Sequence, residues 1–200
     1  MRKQKKQERH AAIVEAAYAL LSEKGYAGAS MLNIAKAAKA SNETLYRWYG
    51  DKTGLFEAMV RDNASETEVL LRAALKGDEN PLQALQKISP IFLEMLLGER
   101  AILLNRAAAS DPTGILGEAI SKGGRDVIQP LFLGLIQATG KVSEEQLGAM
   151  TRTFVHLLIG DHQIKRVIGV MPPPRSDEVK AQCALALEQF EIVLEAQSSA

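Results

Sequence analysis

Residues 30–56 constrain the chain more than any other stretch, because they read as two short helices joined by a tight turn, the second too polar to be core. Ser30 stands where an N-cap belongs for a helix over 31–38, its hydroxyl placed to accept a backbone N–H of the first turn. Ile34, Ala35 and Ala38 share one face of that helix, where the alanines let a second helix approach closely. Lys39 and Ala40 make the turn, and Ser41 has the residue type and position to cap a second helix over 42–49. There Leu45 and Tyr49, four apart, point inward together. At about 100° per residue from Leu45, Glu43 and Arg47 point most nearly away from the core, with Thr44 and Tyr46 on the flanks. The motif is a helix-turn-helix, and its outer face offers hydrogen-bonding groups to a polar partner.

Charge separates this reading from that of an ordinary solvated helix. Residues 1–56 carry ten Lys/Arg against five acids, while the whole chain balances at 24 of each, so residues 57–200 hold an excess of five negative charges. A basic N-terminal part joined to an acidic body is the electrostatic footprint of a DNA-binding domain attached to something else.

The run over 13–56 resembles the N-terminal domain of the TetR family of bacterial transcription repressors. The shared pattern appears as Ile13, Ala16-Ala17, Leu20, Gly25-Tyr26, Ser30-Met31, Ile34-Ala35, Ala38, Ser41, Thr44-Leu45-Tyr46, Lys52 and Leu55-Phe56. Two positions depart from it: Lys39 stands where the family usually has Gly in the turn, and Tyr49 where it commonly has Phe or a similar residue. Gly adopts a left-handed conformation easily, so Lys39 implies a strained or altered turn.

The resemblance implies an all-α fold: a three-helix DNA-binding domain with a basic arm over 1–52, then a larger helical ligand-binding and dimerisation domain over 53–200, about nine helices altogether. It implies Ser30, Thr44, Tyr46 and Lys52 as phosphate contacts, which position without reading sequence. Ser41 and Asn42 begin the recognition helix. Asn42, Glu43 and Arg47 are the candidates for base edges, Arg47 toward guanine and Glu43 toward a cytosine amino group. Trp48 either packs on the sugar-phosphate backbone or closes the small core. The arm with Arg2, Lys3, Lys5 and Lys6 either tracks a minor groove or lacks fixed structure, the latter being expected in the free protein.

At 200 residues and 46% hydrophobic, the chain can bury a substantial core. No apolar run approaches the roughly 20 residues needed to span a bilayer, and the basic N-terminus leads into an amphipathic segment rather than a signal core. One cysteine, Cys183, fits a reducing cytoplasm.

Almost everything else reads as helix. The first is expected over 7–24, stopped by Gly25, and a long fourth helix is expected from 52 to 76. Body helices are expected over 81–97, 99–109, 112–139, 143–170 and 177–196, with Gly114, Gly117 and Gly123-Gly124 weakening the third. Asn80-Pro81 and Asp111-Pro112 pair a cap residue with a proline at the first helical position. Ser143 and Gln146 fit a capping box, and Ser176-Asp177-Glu178 supplies a cap and two acids for the last helix.

The last two of these segments are apolar around too much of their circumference for one buried face: Phe154, Leu158, Ile164 and Ile168 on one, Leu185, Phe190 and Ile192 on the other. Either the core of the same chain takes up both faces or a second copy does, and within the resemblance the final pair forms a homodimer bundle. A dimer would present two reading helices to a palindromic double-stranded operator, with half-sites about 34–36 Å apart or a larger whole-turn multiple. The input would be an unidentified small apolar or amphipathic effector, held among Phe92, Met95, Leu96, Leu103, Phe132, Ile136, Phe154 and Leu158. Asn105, Arg106, Gln129, Arg152 and His156 are the polar groups embedded in those stretches.

No enzyme is expected. His10, His156 and His162 lack metal-ligand spacing, and no nucleophile elbow, phosphate-binding Gly-rich loop or carboxylate pair stands out. No cofactor, metal or catalytic residue is assigned. Cys183, alone on an apolar helix, reads as packing. The competing function is a helical ligand-binding or scaffold protein that no longer reads DNA sequence, an idea given force by Glu43, whose charge repels phosphates.

Overall fold

The computed structural model describes residues 2–198, with side chains over 4–197. These form eleven α-helices and one π-helical turn, with no strand among them. The all-α class is as expected. The chain divides into two compact units, Met1–Asp62 with Leu103–Gly123, and Asn63–Ile102 with Gly124–Ala200.

In the first unit, α1 (Arg2–Gly28) carries Ile13, Val14, Ala17, Tyr18 and Leu21 into a core shared with Met31, Ile34, Ala35, Leu45, Leu55 and Phe56. Gly25, at φ 66° and ψ 176°, interrupts α1 where a stop was expected, and one further turn leads to Ala29. Helices α2 (Met31–Ala37) and α3 (Asn42–Tyr49) follow, then α4 (Lys52–Ala74), which continues into the second unit. The first unit also takes in Leu104 and Ala107 of α6 (Glu99–Ala109) and Leu116 and Ala119 of α7 (Ile115–Ile120). It is therefore larger than the 1–52 domain expected from the sequence, because apolar positions of α6 and α7 complete its core.

In the second unit, α5 (Pro81–Leu97), α8 (Asp126–Ala138), α9 (Glu144–Ile159) and α11 (Ser176–Ser198) pack against one another, and short α10 (His162–Val167) packs on α5. At its centre Phe92, Phe132, Phe154 and Phe190 run in ring contact, with centroids 5.0, 5.7 and 4.8 Å apart in succession. Arg166, only 4% exposed, donates to the carbonyls of Leu97 at 3.0 Å and Met171 at 3.2 Å, and to Glu99 at 2.5 Å. A buried guanidinium needs such partners, and Arg166 thereby ties α10 to the end of α5 and to the loop before α11.

Several body expectations are corrected. The segment 143–170 is two helices, because Gly160 at φ 51° and ψ −133° leaves the helical region between α9 and α10. The segment 112–139 is also divided, into α7 and α8 with the π-turn Ser121–Arg125 between them. These two breaks raise the count from nine to eleven. Asp111 does not cap a helix starting at Pro112: its carboxylate accepts from the N–H groups of Thr113 and Leu116, and the helix begins at Ile115. Those bonds hold the Asp111 carboxyl below its usual range. The capping box at Ser143 does not close on the backbone: the Gln146 amide oxygen accepts from the Ser143 hydroxyl at 3.1 Å, and its nitrogen donates to Gln197. Asn80 does cap α5, accepting from Leu82 and Gln83. The last helix is capped by Glu178 reaching back to the N–H of Arg175. No helix among the described residues is long and apolar enough to cross a membrane.

Candidate nucleic-acid interface

Local chemistry sets the two helices of the motif. Ser30 Oγ accepts from the Asn33 N–H at 3.2 Å and starts α2; Ser41 Oγ accepts from the Thr44 N–H at 3.1 Å and starts α3. Each bond satisfies one of the orphan donors of a helix N-terminus. Between them Lys39 sits at φ 50°, the one non-glycine residue with positive φ among those described. The strain anticipated at Lys39 is therefore present in the backbone.

Within α3, Leu45 is fully buried while Asn42, Glu43, Tyr46 and Arg47 are exposed. Thr44 departs from its expected flank: it is 6% exposed, with its hydroxyl 2.8 Å from Ser41 Oγ. Its hydroxyl is thus taken up in the cap. Trp48 is half-buried against the core cluster, edge-on to Tyr49, with Lys6 Nζ 5.6 Å from its ring centroid. Part of Trp48 thus closes the small core, and part is left open to solvent.

Lys52 donates to the Tyr26 carbonyl at 2.8 Å and lies 4.1 Å from the Tyr26 ring centroid. Burial lowers its pKa. It secures the segment after the α1 kink, and an ammonium has further hydrogens for a phosphate. The backbone of the basic arm is helical from Arg2 onward rather than irregular, and Lys5 and Lys6 lie on α1. The side chains of Arg2 and Lys3 lie outside the described residues.

One constellation carries no local sequence signal. His10 of α1 bonds Tyr49 OH at 2.8 Å through Nδ1 and Asp62 at 2.5 Å through Nε2, joining α1, α3 and α4. Burial, and then the charge of Asp62, push the Tyr49 hydroxyl up to about 12.

In the second unit, the expected lining residues Phe92, Phe132, Ile136, Phe154 and Leu158 are buried in the continuous core, with Met95 and Leu96 packed against it. The aromatic rings fill that space with each other. A cleft of about 400 Å³ lies beside them, lined by Leu93, Leu97, Met171, Pro172, Pro174 and Val179 with His162, Glu178 and Gln182. Leu103 packs against the core of the first unit instead, and none of the eight expected residues lines the cleft. Proximity in sequence, Leu93 beside Phe92, is the one hint the chain offered. Of the embedded polar groups, Arg106, Arg152 and His156 are exposed, and Asn105 and Gln129 are half-buried.

A capped, outward-facing polar helix held on two others gives the unit the arrangement of a helix-turn-helix. Residues 13–59 match the model of the bacterial regulatory proteins, tetR family; the chain carries a TetR-family N-terminal domain within a TetR-like all-α fold. Over 46 residues it is 44% identical to the HTH-type transcriptional regulator YdeS of Bacillus subtilis, 23% of each chain. Over 79 residues it is 30% identical to HbdR of Aromatoleum sp., 40% of this chain and 34% of that one. The matched segments thus span about a quarter to a third of those relatives' lengths. Across the full fold it superposes on a TetR transcriptional regulator from Agrobacterium tumefaciens with TM-score 0.74 and 26% identity, covering 92% of this chain and 93% of that one. A TetR-family regulator from Mesorhizobium loti gives 0.75 at 22% identity, covering 94% and 96%.

Proposed function

We propose that this protein is a dimeric transcriptional repressor that reads a palindromic operator with α3 of each protomer and is released by a small apolar or amphipathic molecule. The observation that carries the reading is α3 itself: Leu45 anchors it, Ser41 caps it, and Asn42, Glu43, Tyr46 and Arg47 are left facing outward. Ser30, Tyr46 and Lys52 serve as phosphate contacts and Asn42, Glu43 and Arg47 as base-edge contacts; Ser41 and Thr44 hold the helix start, and Trp48 holds its end.

Support for a dimer comes from apolar surface on the last helices. Leu185 and Ile192 of α11 are 49% and 62% exposed, and Ile164 of α10 is 56% exposed. Such surface invites a two-fold copy. The effector site is assigned to the 400 Å³ cleft, whose apolar walls and polar Glu178, His162 and Gln182 suit an amphipathic molecule. Two neighbours in fold, FadR of Bacillus subtilis and FadR of Thermus thermophilus, were solved with stearoyl-CoA and lauroyl-CoA, each at 18% identity. They support an effector with an apolar part without naming it. Helix α4 contributes residues to both units and is the element through which effector binding shifts the population of DNA-competent dimers.

The test is selection of sites from random duplex DNA followed by a salt titration of the winner. An enriched palindrome whose affinity falls steeply with salt is the expected result, with Arg47→Ala relaxing preference at one position of each half-site. Recovery of no motif would favour the alternative raised by Glu43, a ligand-binding protein that keeps the motif as scaffold.

A further inference from the structure

The cluster of His10, Tyr49 and Asp62 does work that the DNA-reading surface does not explain. Tyr49 is the last residue of α3, and its phenol reaches away from the reading face to meet a ring on α1. Asp62 meets the other nitrogen of the same ring from α4. On the face of α1 that His10 occupies, Lys6 lies one turn earlier, over Trp48. The end of α3 is thus held by two successive residues, Trp48 and Tyr49, under a strap formed by the first turns of α1.

Proton bookkeeping fixes how the ring is used. A carboxylate only accepts, so Nε2 carries the hydrogen that goes to Asp62. In the neutral ring Nδ1 is then bare and accepts from the Tyr49 hydroxyl. When the ring takes a second proton, Nδ1–H donates and the Tyr49 oxygen accepts. A phenol can play either part, and with its hydroxyl pushed up to about 12 it keeps its own hydrogen across the physiological range. Phenylalanine would keep the ring but could take neither part.

We propose that His10 is a positioning residue for the reading helix: it ties Tyr49 at the end of α3 to Asp62 of α4 by a link that survives both gain and loss of the second ring proton. The groups that meet the ring are Tyr49 from α3 and Asp62 from α4. The link fixes the end of α3 against α1 and α4 without contributing an atom to the proposed DNA surface.

The test uses the full chain labelled with nitrogen-15 at histidine, together with hydrogen exchange at the α3 amides. The neutral His10 ring is expected to hold its proton on Nε2. Tyr49→Phe, which removes one oxygen, is expected to speed exchange in α3 about five- to thirty-fold, the factor for loss of one or two kcal/mol. In a His10→Ala background the same change is expected to add nothing. A neutral ring protonated on Nδ1, or α3 exchange unchanged by Tyr49→Phe, would overturn the proposal. If His10→Ala fails to fold, the tautomer and the single Tyr49→Phe variant still decide it. Affinity for the selected operator should fall by a similar factor in Tyr49→Phe. Only this arm rests on the DNA-reading function, so a protein that selects no operator refutes that function while the exchange and tautomer results still judge the link.

Discussion

Ser41→Ala should destabilise the domain by more than an exposed serine usually does. The serine makes two bonds from one oxygen: it accepts from the Thr44 N–H at 3.1 Å and pairs with the Thr44 hydroxyl at 2.8 Å. Losing an N-cap costs about 1 kcal/mol. Thr44 is 6% exposed, so its hydroxyl is left without this partner away from water, at a cost of about 1–3 kcal/mol. The sum, about 2–4 kcal/mol, corresponds to a fall in Tm of about 4–16 °C for a chain of this length. Calorimetry on the single variant and on the same change in a Thr44→Val background separates the two terms. In the valine background no hydroxyl remains to orphan, and the cost should drop to the cap alone, about 1 kcal/mol. Equal losses in both backgrounds, or a Tm unmoved by the single change, would refute the reasoning.

Lys39→Gly should stabilise the protein by about 0.5–1 kcal/mol, since a left-handed L-residue costs about 1–2 kcal/mol and the extra chain freedom of glycine returns part of that; Lys39→Ala should give no gain, and denaturant midpoints compare the two. Arg166→Met should cost about 2–4 kcal/mol by leaving the carbonyls of Leu97 and Met171 without their donor. Glu99→Gln should cost less than about 1 kcal/mol, because the Glu99 side chain is 64% exposed; thermal melts of both test the contrast. Tyr49 has a folded pKa raised from 10.0 to about 12, so its contribution to stability is complete below the unfolded value and is lost as pH rises through the folded one. Stability followed at increasing alkaline pH should therefore decline less steeply between about 10 and 12 in Tyr49→Phe than in the natural protein.

The elements that sequence reading placed well are those whose causes lie within one turn of chain. Ser30 and Ser41 cap helices that start at the next residue, Asn80 caps α5, and Leu45 falls inward because its helix has the usual period. The places where it went wrong share a different property. Asp111 found a partner at Leu116 that delayed the helix, and Gln146 found Gln197, 51 positions away, besides the Ser143 hydroxyl. Gly160 was free to leave the helical region, and nothing nearby said that it would. The aromatic residues assigned to a ligand pocket were rightly marked as apolar and inward, but whether inward means wall or filling depends on what stands opposite. Here the answer is another phenylalanine each time.

The candidate site divides along the same line. The outward face of α3 could be read from Glu43, Tyr46 and Arg47 because helical periodicity acts over a few residues. The partners that hold that helix could not: His10 lies 39 positions from Tyr49 and 52 from Asp62, and Lys52 lies 26 from the Tyr26 carbonyl to which it donates. By itself the sequence determined the helical class, the two caps of the motif and the residues of α3 that face outward, since propensity, capping and period are properties of neighbouring residues. Tertiary structure alone decided which side chains lock α3 in place, which core is solid and where the cleft opens, since those follow from which helices meet and at what residues.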